Sequence, residues 1–170
     1  MKLQFVVPGP IHGKGAPRAV RRGRFLTVHT DEKTEQYENR VAIAAQAAMG
    51  GRSLIEGPVA LQLDIRCAVP ASWSGIKQRM ALAGEIMPTT KPDCSNVVKS
   101  IEDGCNGVVW RDDTQVVRHG IEKRYAAVPG VVVTIELLAR IEPVQQEIEL
   151  DEPPQPAAQA SAADEVAEAF

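Results

Sequence analysis

Aromatic residues are scarce in this sequence: two Trp, two Tyr and three Phe make up 4% of its 170 residues. Stacked rings cannot build the core, so Val, Ile, Leu and Ala must do most of the packing. No run of about 18 apolar residues occurs, which excludes a hydrophobic membrane-spanning helix. Cysteine is limited to Cys67, Cys94 and Cys105, an odd number without metal-ligand spacing. Neither a disulfide framework nor a zinc site is expected, and the three read as reduced thiols of a cytoplasmic protein. His12, His29 and His119 are dispersed and likewise lack zinc spacing. The opening Leu3-Gln4-Phe5-Val6-Val7 is too short for a signal peptide and reads as a first strand.

Basic residues are missing from one part of the chain only. Residues 141–170 hold eight acids and no Lys or Arg, a net charge of −8, with Pro153-Pro154-Gln155-Pro156 among Ala and Ser. All 19 Lys and Arg fall in residues 1–140 against 14 acids, a net charge of +5. The expected organisation is a folded domain over 1–140 and a disordered acidic Pro/Ala-rich tail over 141–170. A basic body with an acidic tail is compatible with a polyanion ligand, which the overall pI of about 5.7 conceals.

Within the first 140 residues the periodicity changes repeatedly. Residues 3–7 and 24–28 read as strands around the basic, glycine-punctuated segment 13–24, a loop or hairpin. Thr30 is the expected N-cap of a helix in which Tyr37, Val41, Ala44 and Ala48 recur until Gly50-Gly51 stops it. Val59, Leu61, Leu63, Ile65 and Cys67 alternate with polar residues as in a half-buried strand. A short helix is expected at 73–83 and a second long one at about 94–106. In the latter, Cys94, Val98, Ile101 and Cys105 form an apolar stripe, and Ser95, Lys99, Glu102 and Asn106 share another face. Strands are expected at 108–110, 115–125 and 131–139, the last two as an antiparallel pair turned by Pro129-Gly130. The fold class is therefore α+β, a small sheet packed by two main helices.

Chemistry concentrates between Lys91 and Gln115. Asp93 stands before the second long helix and Asp112-Asp113 before a strand. Each could be only an N-cap or a solvated turn. Brought together, these carboxylates could hold Mg²⁺, and a lysine could stabilise charge developing on a phosphate. Lys14, Arg18, Arg21, Arg22 and Arg24 place five cations in eleven residues and read as contacts to a DNA backbone. Gly13-x-Gly15 is not followed by a Walker pattern. Trp73 and Trp110 read as core or interface residues.

The run from Lys91-Pro92-Asp93-Cys94-Ser95-Asn96-Val97-Val98-Lys99 through Glu102-Asp103-Gly104-Cys105-Asn106-Gly107 to Asp112-Asp113-Thr114-Gln115-Val116 resembles the signature of the RusA-type Holliday-junction resolvases. In that family a Pro-Asp-x-Asp-Asn-x-x-Lys helix start precedes an Asp-Asp-x-Gln-Val strand start. Gly13-Lys14-Gly15-Ala16-Pro17-Arg18 is similar to the family's basic opening, and the resemblance extends over residues 3–139. It implies a homodimeric, structure-selective endodeoxyribonuclease that cuts four-way or branched DNA with Mg²⁺, Mn²⁺ also serving. Carried over, Asp93, Lys99 and Asp113 are catalytic, with Asp93, Asp113 and Asp112 toward the metal.

The family's second helix-start aspartate is Ser95 here, a poorer Mg²⁺ ligand. Glu102, two turns further along the same stripe, is the expected compensating carboxylate, with Asp103 left to an ion pair or a helix-end hydrogen bond. The alternative reading is a branched-DNA-binding protein whose catalysis Ser95 has weakened.

Overall fold

The structure is a computed structural model, and it describes residues 1–15, 18–22, 25–29 and 31–138, with 18–22 and 25–29 described through their backbone only. The acidic tail, Arg24 and Thr30 lie outside the described residues, as do the side chains of Arg18, Arg21 and Arg22. Among the described residues, no helix is long and apolar enough to cross a membrane.

The elements in chain order are β1 (Lys2–Pro8), β2 (Arg18–Arg22), β3 (Phe25–His29), α1 (Glu32–Met49), β4 (Val59–Ala68), α2 (Gly75–Leu82), α3 (Cys94–Cys105), β5 (Val116–Ala126) and β6 (Gly130–Leu137). Four strands form one mixed sheet in the order β1-β6-β4-β5, while β2 and β3 make a separate antiparallel hairpin. β6 pairs antiparallel with both β1 and β4, and β4 pairs parallel with β5. This is an α+β fold.

Period two decides which side of the sheet is dry. Leu3, Phe5 and Val7 of β1, Val59, Leu61, Leu63 and Ile65 of β4, and Val131, Val133 and Ile135 of β6 all point to the helical side and are buried. α1 answers them with Tyr37, Val41, Ala45 and Met49, and α3 with Val97, Val98, Ile101 and Cys105. Gly50 ends α1 in the left-handed region at φ 56°, its N–H donating to the Gln46 carbonyl at 3.1 Å. The helix's N-cap is Asp31, one residue after the expected Thr30, and it caps through its backbone carbonyl rather than its side chain.

Two strand expectations are corrected. β5 and β6 are not hydrogen-bonded neighbours, because β4 lies between them, parallel to one and antiparallel to the other. The turn at 127–129 therefore steps over a strand instead of closing a hairpin. Residues 108–110 are not a strand: Trp110 makes only isolated bridges to Ile55 and Asn106. Val109 and Trp110 are apolar because they are fully buried, Trp110 donating its indole N–H to Asn106 Oδ1 at 2.8 Å.

Candidate functional site

The site grows from the place where α3 crosses α1. A Cβ on Gly104 would lie 2.7 Å from Val41 Cβ and 2.8 Å from the Glu38 carbonyl oxygen, so only glycine lets the two helices approach this closely. That approach brings Glu38 of α1 toward Asp103 of α3. The segment Ile11–Gly15 passes over the same region, the Lys14 N–H donating to the Asn96 carbonyl at 2.9 Å. The Lys14 ammonium bonds Asp103 Oδ2 and lies 3.7 Å from Glu38 Oε1.

From the other side, the connection after α3 delivers Asp113. Buried Trp110 anchors it, and Gln115 donates from Nε2 to the carbonyls of Ile55 at 2.9 Å and Gly57 at 3.1 Å. Asp112 Oδ1 accepts the Thr114 N–H at 2.9 Å, which holds the Asp112 carboxyl below the usual carboxylate range. Asp113 accepts a hydrogen bond from the Lys99 ammonium, which also lies 3.3 Å from Asp103 Oδ1 one turn along α3. Carboxylates and ammonium groups thus alternate in a chain: Glu38, Lys14, Asp103, Lys99, Asp113.

The electrostatics follow from that alternation. Asp113, and then Asp103, hold the Lys99 ammonium above the usual lysine range despite partial burial. Glu38 is pushed above the usual glutamate range, chiefly by burial, with Lys14 opposing the shift and Asp103 adding to it. Among the described residues, its buried Oε1 finds no hydrogen-bond partner. A carboxylate oxygen so placed, with Asp103 across Lys14, suits a hard divalent cation.

The predicted residues separate into two groups. Lys99 and Asp113 meet directly, with Asp112 next in sequence. Asp93 is exposed at the N-cap of α3, makes no side-chain cap, and accepts a hydrogen bond from Asn96 Nδ2 at 3.5 Å. Ser95 is exposed in the first turn of α3. Among the described residues, no three His, Cys, Asp or Glu side chains converge as a ready-made metal cage. Mg²⁺ commonly takes only one or two protein carboxylates and completes its shell with water and phosphate, so the hard-oxygen donors present fit that ion.

Glu102 does not join this cluster. Its carboxylate is almost fully buried and accepts from His119 Nε2 at 2.9 Å, drawn across to β5. Lys99, on the same face of α3, pairs with Asp103 instead. The ion pair expected of Asp103 forms, with Lys99 and Lys14, but its place in this cluster and that of Glu38 were missed by sequence reasoning. Asp103 had a signal, the i, i+4 relation to Lys99; Glu38 had none, because only the helix crossing brings it near. Lys14, expected on DNA phosphates, here lies between carboxylates.

The chain is 32% identical over 135 residues to the uncharacterized protein YqaN of Bacillus subtilis (strain 168), covering 78% of this chain and 94% of that one. The family model for endodeoxyribonuclease RusA matches residues 8–136, from the last residue of β1 into β6 and across the whole Lys99–Asp113 region. The chain belongs to the RusA endodeoxyribonuclease family.

Proposed function

We propose that this protein is a structure-selective endodeoxyribonuclease that resolves Holliday junctions and related branched DNA by metal-dependent phosphodiester hydrolysis, acting as a homodimer. The observation that carries the reading is the Lys99 ammonium held between Asp113 and Asp103 within the family's motif region. Asp113 and Asp103, the latter in the place first given to Glu102, flank Lys99 and are the carboxylates we assign to Mg²⁺ or Mn²⁺, with Asp112 and Asp93 as the further motif acids. The ion supplies charge neutralisation at the phosphate and a more acidic bound water. Lys99, kept protonated by its carboxylate neighbours, is placed to bind a non-bridging phosphate oxygen and stabilise the charge that grows there. When phosphate arrives, Lys14 can leave Asp103 for the DNA backbone, for which the sequence also offers Arg18, Arg21, Arg22 and Arg24.

A synthetic four-way junction tests this. With Mg²⁺ the wild type should introduce paired symmetric nicks. Asp113→Asn should abolish them while junction affinity stays within a few-fold, because binding rests mainly on cations and phosphates. Near-normal nicking by Asp113→Asn would sink the assignment.

Ser95 favours a second reading, a branched-DNA-binding protein with weakened catalysis. The exposed first turn of α3 has room for a longer side chain, and an acid there also complements the helix dipole. Ser95→Asp should lower the Mg²⁺ concentration required for nicking. Junction retardation without nicking by wild type, with nicking gained in Ser95→Asp, would establish the weakened binder instead.

A further inference from the structure

β5 ends the sheet, and its outer edge is open. Residues 117–122 are all exposed, including Val117 at 60% and Ile121 at 44%. Among the described residues, 117–124 make no backbone hydrogen bond except those of the β4 ladder. A long, open edge is a template for another strand. We infer that β5 is the surface on which a second copy of this chain docks, antiparallel and centred on Gly120, joining two sheets into one of eight strands. The inference rests on the homodimer reading above and names its interface.

The residues on the edge choose the register. Centred on Gly120, each Arg118 faces the second copy's Glu122, so the two-fold axis creates two opposite-charge pairs flanking the glycine. Both side chains lie on the sheet face of Gln62 and Asp64, across which Gly120 leaves a gap. On the helical face, Ile121 then meets His119 and Val117 meets Lys123. Centring one residue later would oppose Arg118 with Arg124 and His119 with Lys123, both pairs of like sign when the imidazole is protonated. Centring one residue earlier would stack His119 on its own copy and leave Arg118, Glu122 and Lys123 without opposite charges. The sequence is self-complementary about Gly120 and not about its neighbours.

Gly120 also permits a direct test. It does not have a positive φ, and an added Cβ would meet nothing closer than Gln62 Cγ at 3.5 Å, so cysteine fits. Facing Cα atoms in an antiparallel pair lie about 4.5 or 5.5 Å apart, within disulfide reach. Under mild oxidation, full-length Gly120→Cys should form a covalent dimer whose bond maps by mass spectrometry to position 120 in both chains. Glu122→Cys should not link to itself. In sedimentation, Arg118→Glu and Glu122→Arg should each weaken the dimer at least ~10-fold, since both pairs become repulsive. Arg118→Glu/Glu122→Arg together should return it to within ~3-fold of wild type. A wild-type dimer that neither cross-links at 120 nor responds to these charges would overturn this interface and leave the homodimer reading standing. A monomeric wild type that still nicks junctions would overturn both and leave the nuclease assignment intact.

Discussion

Replacing Gly104 by alanine introduces one methyl group where α1 and α3 touch. That methyl would sit 2.7 Å from Val41 Cβ and 2.8 Å from the Glu38 carbonyl oxygen, against an ordinary carbon contact of about 3.5–4.0 Å. The helices must part by roughly 1 Å. Overpacking of this kind costs about 1–3 kcal/mol, while alanine returns about 1 kcal/mol of helix propensity over glycine. The net loss is about 1 kcal/mol, which lowers Tm by roughly 3–6 °C in a domain of this size. Gly75→Ala is the matched control, since it is helical and an added Cβ there meets nothing within 4 Å. It should melt at or slightly above wild type. The larger effect should be on catalysis: moving Asp103 and Lys99 by 1 Å relative to Glu38 can cost ~10²-fold, seen as slower junction nicking in a still-folded protein. A Gly104→Ala variant that melts like Gly75→Ala and nicks at the wild-type rate would refute the close-crossing argument.

The two adjacent acids of α3 should separate cleanly in a nicking assay. Asp103→Asn should lose at least ~10-fold, whereas Glu102→Gln, which keeps its hydrogen bond to His119, should stay within a few-fold of wild type; the reverse order would restore the sequence-based assignment of Glu102. Asp64, bound by Arg124 at 2.8 and 2.6 Å, has its carboxyl held below the usual aspartate range, chiefly by that guanidinium. The resulting stabilisation is present above the unfolded pKa of about 3.9 and is lost as pH falls through the lower folded value. Asp64→Asn should therefore melt below wild type at pH 7, and the gap should close in acid. Deleting residues 142–170 should leave a cooperative melt and tighten non-specific DNA binding at low salt, since eight negative charges go with them; loss of the cooperative melt would place that segment within the fold.

Much of the fold was legible because burial writes a period into the sequence. The alternation of Val59 through Cys67 and the stripe of Val98, Ile101 and Cys105 could each fit only one kind of element. Neighbours in the sheet were not legible. Alternation tells which face of β5 and β6 is dry, not that β4 slips between them, and Pro129-Gly130 reports only a local bend. Val108-Val109-Trp110 misled because complete burial and strand pairing favour the same residues. At the site, the motif named Lys99 and Asp113, which the structure brings into contact, but the helical wheel could not tell which of Glu102 and Asp103 Lys99 would meet. That choice was made by His119, a residue on another element that claims Glu102.

The pairing of β1 with β6 joins residues 2–8 to 130–136. During synthesis, then, the first strand waits for its partner until nearly the whole sheet has been made. At roughly 5–20 residues per second the interval is on the order of 6–25 seconds, with Leu3, Phe5 and Val7 unsheltered by β6 throughout. Closure of so long a loop also slows refolding from denaturant compared with a helical chain of equal length. The strand that opens the chain is thus among the last to be locked in place, and the nascent protein is most vulnerable to aggregation just before β6 arrives.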